Sequence, residues 1–395
     1  MKRYLYIIIG IVVAAVIAIS ILLFIKYRSN VTPSTTNSTG FLPAATNGEQ
    51  INTTSTAETF ILDSNGTTTA NQPAVKNFGI LSANPVLDYF VNSQNGITTI
   101  QPNGTIAAII NGQFSIVNSS TIDNIISVGF SSDGKKILVS FGDPTNPRAN
   151  LFDIKTNTWT QLPSGMLSPQ WAPTGYQIAY LSNLASGKIA LSIINAVNLK
   201  SGIATVLTLH ANDLNLQWPA KFQFILSDRP SIDNNGSMLL FNSQAGSLTP
   251  IISERAGLES IWSQGASSSY GLAFIAGQRG QNSLFLETLS ISITQQLLSF
   301  LTLPSKCTFD GQQLYCGIPR SSSNFSSANL PDDYNMMALF TSDDIYKVNT
   351  QTGQTQALWS GQSQNIDATD LKVFNKTLFF TNRYNQELYG LVLSQ

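Results

Sequence analysis

From about residue 57 onward, short alternating or β-branched runs are cut by Asn-Gly, Asp-Gly, Ser-Gly and Thr-Gly turns, and this pattern itself repeats. One unit reads as strand 126–130, the turn Ser131-Ser132-Asp133-Gly134, strand 135–139, strand 150–154, a turn at Lys155-Thr156-Asn157, and strand 158–160. That is four antiparallel strands. The plan returns at Ser168-Pro169-Gln170-Trp171-Ala172-Pro173-Thr174-Gly175 with residues 177–180, at 214–218 with 222–226, and at 260–262 with 271–275. Phe130, Trp171, Trp218 and Trp262 are therefore 41, 47 and 44 residues apart. A small sheet cannot bury both its faces alone, so such units must stack on one another.

The stretches from Trp171 to Tyr180 and from Phe130 to Val139 resemble the repeat of TolB-like propellers, a relative of the Trp-Asp-repeat type: Trp-Ser-Pro-Asp-Gly, two residues, then Ile-Ala-Phe or Tyr. Thr174 replaces the usual Asp, and Trp218 is followed by Pro219-Ala220-Lys221 without Gly. The resemblance implies an all-β fold, a β-propeller of about seven four-stranded blades. Weaker copies surround Asp310-Gly311 and residues 371–380, and the segment 78–112 supplies one more. Six blades is the alternative, if the Phe78 segment and the C-terminal unit merge. The last unit offers three strands before the chain ends, and Thr59-Phe60-Ile61-Leu62 is expected to provide the fourth. The three aligned tryptophans are expected to pack blade against blade rather than to stack on a sugar.

The 22 residues from Tyr4 to Ile25 carry no charge. As a helix they reach about 33 Å, enough to span a bilayer core. A signal peptide competes with this reading, but the apolar run continues to Ile25 and stops at Lys26-Tyr27-Arg28 like a membrane boundary. The sequence thus divides into a transmembrane anchor at 1–28, a Ser/Thr/Asn-rich tether at 29–56, and the β domain at 57–395. Lys2 and Arg3 with the terminal amine favour a cytoplasmic N-terminus and a single-pass protein whose large domain is extracytoplasmic. Removing the four basic residues of the anchor leaves 17 bases against 22 acids, so the domain is no nucleic-acid binder by charge.

Cys307 and Cys316, the only cysteines, flank Asp310-Gly311 and would face each other across a hairpin. They form either a disulfide, as an exported domain permits, or two buried thiols. His210 is the sole histidine. No metal or cofactor site is expected, and no hydrolase elbow or phosphate loop occurs.

Antiparallel alternation sends the B–C and D–A connections of every blade to one face and the A–B and C–D turns to the other. The six arginines outside the anchor all map to the first face: Arg148, Arg229, Arg279, Arg320 and Arg383 in B–C loops, and Arg255 at a D–A loop. The long connection there also carries Asp332, Asp333 and Tyr334. Such a ring suits an anionic ligand, or it is neutralised by acids of the same face through inter-blade salt bridges. The leading expectation is a surface-displayed binding or scaffold module for a protein partner or an anionic envelope polymer. The alternative is a carbohydrate-active or other hydrolase with carboxylates at the mouth.

Overall fold

The computed structural model describes residues 77–265, 270–277, 281–289, 293–361 and 364–393. The expected membrane helix, the tether and the Thr59–Leu62 segment lie outside them. Among the described residues no helix is long and apolar enough to cross a membrane.

Seven four-stranded antiparallel sheets form the domain. Blades 1 to 6 occupy residues 88–118, 125–161, 167–209, 214–256, 259–297 and 307–360, each in simple A-B-C-D order. Blade 7 takes its A, B and C strands from Ala368–Phe374, Thr377–Asn382 and Leu388–Val392, and its outer strand from Phe78–Ser82. This corrects the expected closure in two ways. The closing strand is Phe78–Ser82, so the first blade begins only at Asp88. The reason is aromatic: Phe78 stacks on Trp359 at 4.4 Å and lies 5.5 Å from Tyr389, sealing blade 7 against the outer edge of blade 6.

At the seam between blades 7 and 1, Lys372 ion-pairs with Asp88 and donates to the Tyr89 carbonyl at 2.8 Å, while the Tyr89 hydroxyl donates to the Asp370 carbonyl at 2.7 Å. Side chains, not only strands, close the ring.

The repeat signature has a packing cause. Trp171, Trp218 and Trp262 end or nearly end the innermost strands of blades 3, 4 and 5 and are all buried. Trp171 Nε1 donates to the Gly129 carbonyl of the preceding blade at 2.9 Å. In the Ser131-Ser132-Asp133-Gly134 turn, Gly134 has φ +69°, and a Cβ there would meet Phe90 of blade 1 at 2.1 Å. Asp133 accepts from the Tyr176 hydroxyl of blade 3 at 2.5 Å. The turn thus touches both neighbouring blades.

At Gly271 a Cβ would sit 2.8 Å from the Trp262 ring. Gly271→Ala is expected to cost about 1–3 kcal/mol by overpacking that ring. Urea midpoints of the variant and wild type measure it; an unchanged midpoint would mean that Trp262 has room to move.

Cys307 and Cys316 are joined as a disulfide, directly opposite one another with Cα atoms 4.1 Å apart. The chain is not purely β. The long B–C connection of blade 6 contains two short helices, α1 (Ser322–Ser327) and α2 (Asp332–Asn335). Phe325, Leu330 and Tyr334 peg this insertion into the core shared by blades 5 and 6.

Candidate functional site

The strand order places Arg148, Arg229, Arg255, Arg320 and Arg383 at B–C or D–A connections, while Arg279 lies outside the described residues. Their surroundings differ. Arg148 lies over the Phe141 ring, 4.7 Å from its centroid. Arg229 Nε pairs with Asp213 Oδ1 at 2.5 Å, within blade 4. Arg320 Nε lies 3.6 Å from Asp344 Oδ1 in blade 6, and its Nη2 donates to the Gln364 carbonyl at 2.8 Å.

Arg383 is the most enclosed. It donates to the carbonyls of Leu339, at 2.9 Å, and Tyr334, lies 3.5 Å from Asp367 Oδ2, and is sandwiched between the rings of Tyr334 and Phe340. The ion pairs therefore join connections of a single blade, where inter-blade pairs were expected. The reason is geometric: the D–A and B–C ends of one sheet emerge side by side, so Asp213 and Asp367, each just before a first strand, meet arginines that follow the second strand.

Arg255 differs from the rest. Among the described residues its guanidinium makes one hydrogen bond, to the Glu254 carbonyl at 3.3 Å, and no ion pair. It lines a cleft of about 790 Å³ between the loops of blades 4 and 5 and the blade 6 insertion.

The three predicted loop residues divide in the same way. Asp332 Oδ2 accepts from the Ile232 amide of blade 4 at 3.1 Å, which ties the insertion across two blades. Asp333 Oδ2 accepts from the Asn329 amide at 2.8 Å. Tyr334 is buried, and its hydroxyl donates to Asp367 Oδ1 at 2.8 Å. It belongs to a buried network unforeseen in the sequence. Lys306, fully enclosed, lies 2.7 Å from Asp343 Oδ2, ion-pairs with Asp367, and hydrogen-bonds Thr341 Oγ1 at 2.9 Å. Burial alone would push the Lys306 amine toward neutrality, but the Asp343 carboxylate, with Asp367, outweighs it and holds the ammonium charged. Burial pushes the Asp343 carboxyl up, whereas Asp367 is held low against its own burial by Lys306.

Two carboxylates also meet at the seam between blades 7 and 1. Lys372 Nζ lies 3.3 Å from Asp370 Oδ1 and pairs with Asp88, while Asp370 Oδ2 is shut away without a partner. Burial pushes the Asp370 carboxyl up to about 7; Lys372 opposes that rise and Asp88 adds to it. His210 is exposed in the connection before blade 4. Among the described residues no group of three or more His, Cys, Asp or Glu is placed to hold a metal ion.

On the same face as the arginines, Met336, Met337, Phe340 and Tyr384 are 69, 49, 37 and 46% exposed. Phe340 and Tyr384 stack at 5.2 Å, and Arg383 donates to the Met337 sulfur at 2.8 Å. This patch comes from the tail of the insertion and the B–C loop of blade 7.

These features define a seven-bladed propeller with one elaborated loop face. No family model and no curated protein matches the chain. It is similar in structure to the β-propeller domain of the Trilobed protease from Pyrococcus furiosus, at 10% identity and a TM-score of 0.51, covering 78% of this chain and 92% of that one. An oligogalacturonate lyase from Vibrio parahaemolyticus gives 10% and 0.54, covering 79% and 92%. An oligogalacturonate lyase in complex with manganese gives 11% and 0.52, covering 80% and 93%. Likeness at this identity shows the propeller architecture alone. The Trilobed protease propeller is described as having an open velcro topology, whereas here Phe78–Ser82 closes the last blade.

Proposed function

We propose that this chain is a binding module, carried outside the cytoplasm on an N-terminal membrane anchor, whose B–C/D–A face docks a protein partner. The observation that carries the reading is the exposed patch of Met336, Met337, Phe340 and Tyr384. Exposed Met and aromatic side chains grouped on one surface are costly in water and typical of protein interfaces. The sandwich of Arg383 between Tyr334 and Phe340 holds the patch in place before any partner arrives, which lowers the ordering cost of binding. Strand Phe78–Ser82 begins at the A–B/C–D face and ends at the patch-bearing one.

The hydrolase reading needs carboxylates free to act. The pair nearest that description, Asp88 and Asp370, has Lys372 between its members, which favours the binding reading.

The full chain in detergent, used as bait against envelope extracts, tests the proposal. Met336→Glu with Tyr384→Glu is expected to reduce captured partner about tenfold or more, as loss of an aromatic anchor does. Lys155→Glu with Lys200→Glu, on the opposite face, is expected to leave capture intact. Equal capture by the patch variant, or capture of polysaccharide instead of protein, would overturn the reading.

A further inference from the structure

The cleft around Arg255 has a lining that specifies a ligand more narrowly than the patch does. Its charged members among the described residues are one acid, Glu254, and one base, Arg255, adjacent in sequence. Glu254, beside Arg255, would repel a phosphate or polyanion. The polar remainder is amide: Asn235, Asn282 and Asn329 line the cleft beside small apolar walls such as Ala276. Asn282 is already used, accepting from the Gly277 amide at 3.1 Å. The side chains of Asn235 and Asn329 make no hydrogen bond among the described residues and are exposed, so each offers a donor and an acceptor. Carboxamides paired with the Arg255 guanidinium match a peptide backbone that ends in a carboxylate. Among the described residues no aromatic ring lines the cleft to stack on a sugar.

We propose that this cleft binds the carboxyl terminus of a polypeptide. Arg255 takes the carboxylate through its fork of donors, Asn235 and Asn329 bond the last peptide groups, and the alanine wall admits a small terminal side chain. The cleft volume falls within the range of sites that take small ligands or short peptide ends. Construction supports a fixed shape. Asp332 bonds the Ile232 amide across the cleft's edge, and a Cβ at Gly257 would meet the Leu330 carbonyl at 3.0 Å, so the insertion sits closely on blade 4. The proposal rests on the reading of this face as a protein-docking surface and adds a second contact point to it.

The test uses the full chain in detergent and two probes, N-acetyl-trialanine with a free carboxyl and the same peptide as its carboxamide, with ligand-observed NMR as readout. The free acid is expected to bind at least about tenfold more tightly than the amide, the discrimination that a charge-assisted bond supplies. Arg255→Gln is expected to abolish the difference, and Arg255→Lys to restore part of it. Because Arg255 is exposed, neither variant threatens the fold. Equal binding of acid and amide, discrimination that survives Arg255→Gln, or inorganic phosphate displacing the peptide more effectively than acetate would overturn the assignment. If the peptide fails while patch-dependent capture holds, only the carboxylate site falls; loss of patch dependence falls on the docking reading instead.

Discussion

Replacing Lys306 by Met is expected to cost about 3–5 kcal/mol, the usual result of removing one partner from a buried ionic group. The four charges at the junction of blades 6 and 7 balance: Lys306 and Arg383 against Asp343 and Asp367. Without the ammonium, two enclosed carboxylates face one guanidinium at 3.5 Å from Asp367 alone. One of them must take up a proton or the insertion must lift to admit water. The Lys306→Met penalty should therefore grow between pH 5 and pH 8, since protonation relieves it at the acid end. Adding Asp343→Asn is expected to recover most of the loss, because it leaves Arg383 balanced against Asp367 and the uncompensated charge, not the lost bonds, dominates. Denaturant midpoints followed by tryptophan fluorescence measure both. A single-variant loss under about 1 kcal/mol would show that the network does not hold the junction.

What the sequence made legible and what it hid follow from the range of the interactions involved. Blades 2 to 5 are readable because each places an aromatic at or near the end of its inner strand, where the neighbouring blade demands one, and blades 2 and 3 follow it with a turn that ends in Gly. Local sequence carries that information. The strand order also placed the arginines by face, since alternation alone sends B–C loops to one side. Their partners were hidden. Lys306 and Asp367 are 61 positions apart, and nothing near the Pro304-Ser305-Lys306 turn distinguishes an enclosed lysine from the solvated ones in other turns. The closing strand was misplaced for a similar reason. Thr59–Leu62 and Phe78–Ser82 are both short apolar runs, and only the rings of Trp359 and Tyr389, some 280 to 310 residues further along the chain, select Phe78. The apolar patch escaped notice because a Met-Met pair in a loop reads as core until its exposure is known.

The second large effect lies in blade 5. Glu287 is fully buried on the third strand, opposite Gly271 on one side and Gln295 on the other. Its Oε1 accepts from Gln295 Nε2 at 2.9 Å, while Oε2 has no partner. Burial pushes the carboxyl up to about 7, and the Gln295 bond only partly opposes it. An acid whose pKa rises on folding is protonated in both states well below its unfolded value, near 4.3 for Glu. Its contribution to stability is fully present there and is lost as pH rises through about 7. Glu287→Gln mimics the protonated form at every pH. The variant is therefore expected to match wild type near pH 4.5 and to exceed it at pH 8 by about 1–3 kcal/mol, allowing for partial solvent screening of each 1.4 kcal/mol unit. Its cross-strand neighbour Gly271 carries no side chain and leaves room for the Trp262 ring on the next strand. Urea midpoints for both proteins at pH 4.5, 6, 7 and 8 decide the matter. Parallel curves would mean that Glu287 reaches solvent in the native state, and a variant less stable at pH 8 would mean that its charge is compensated there.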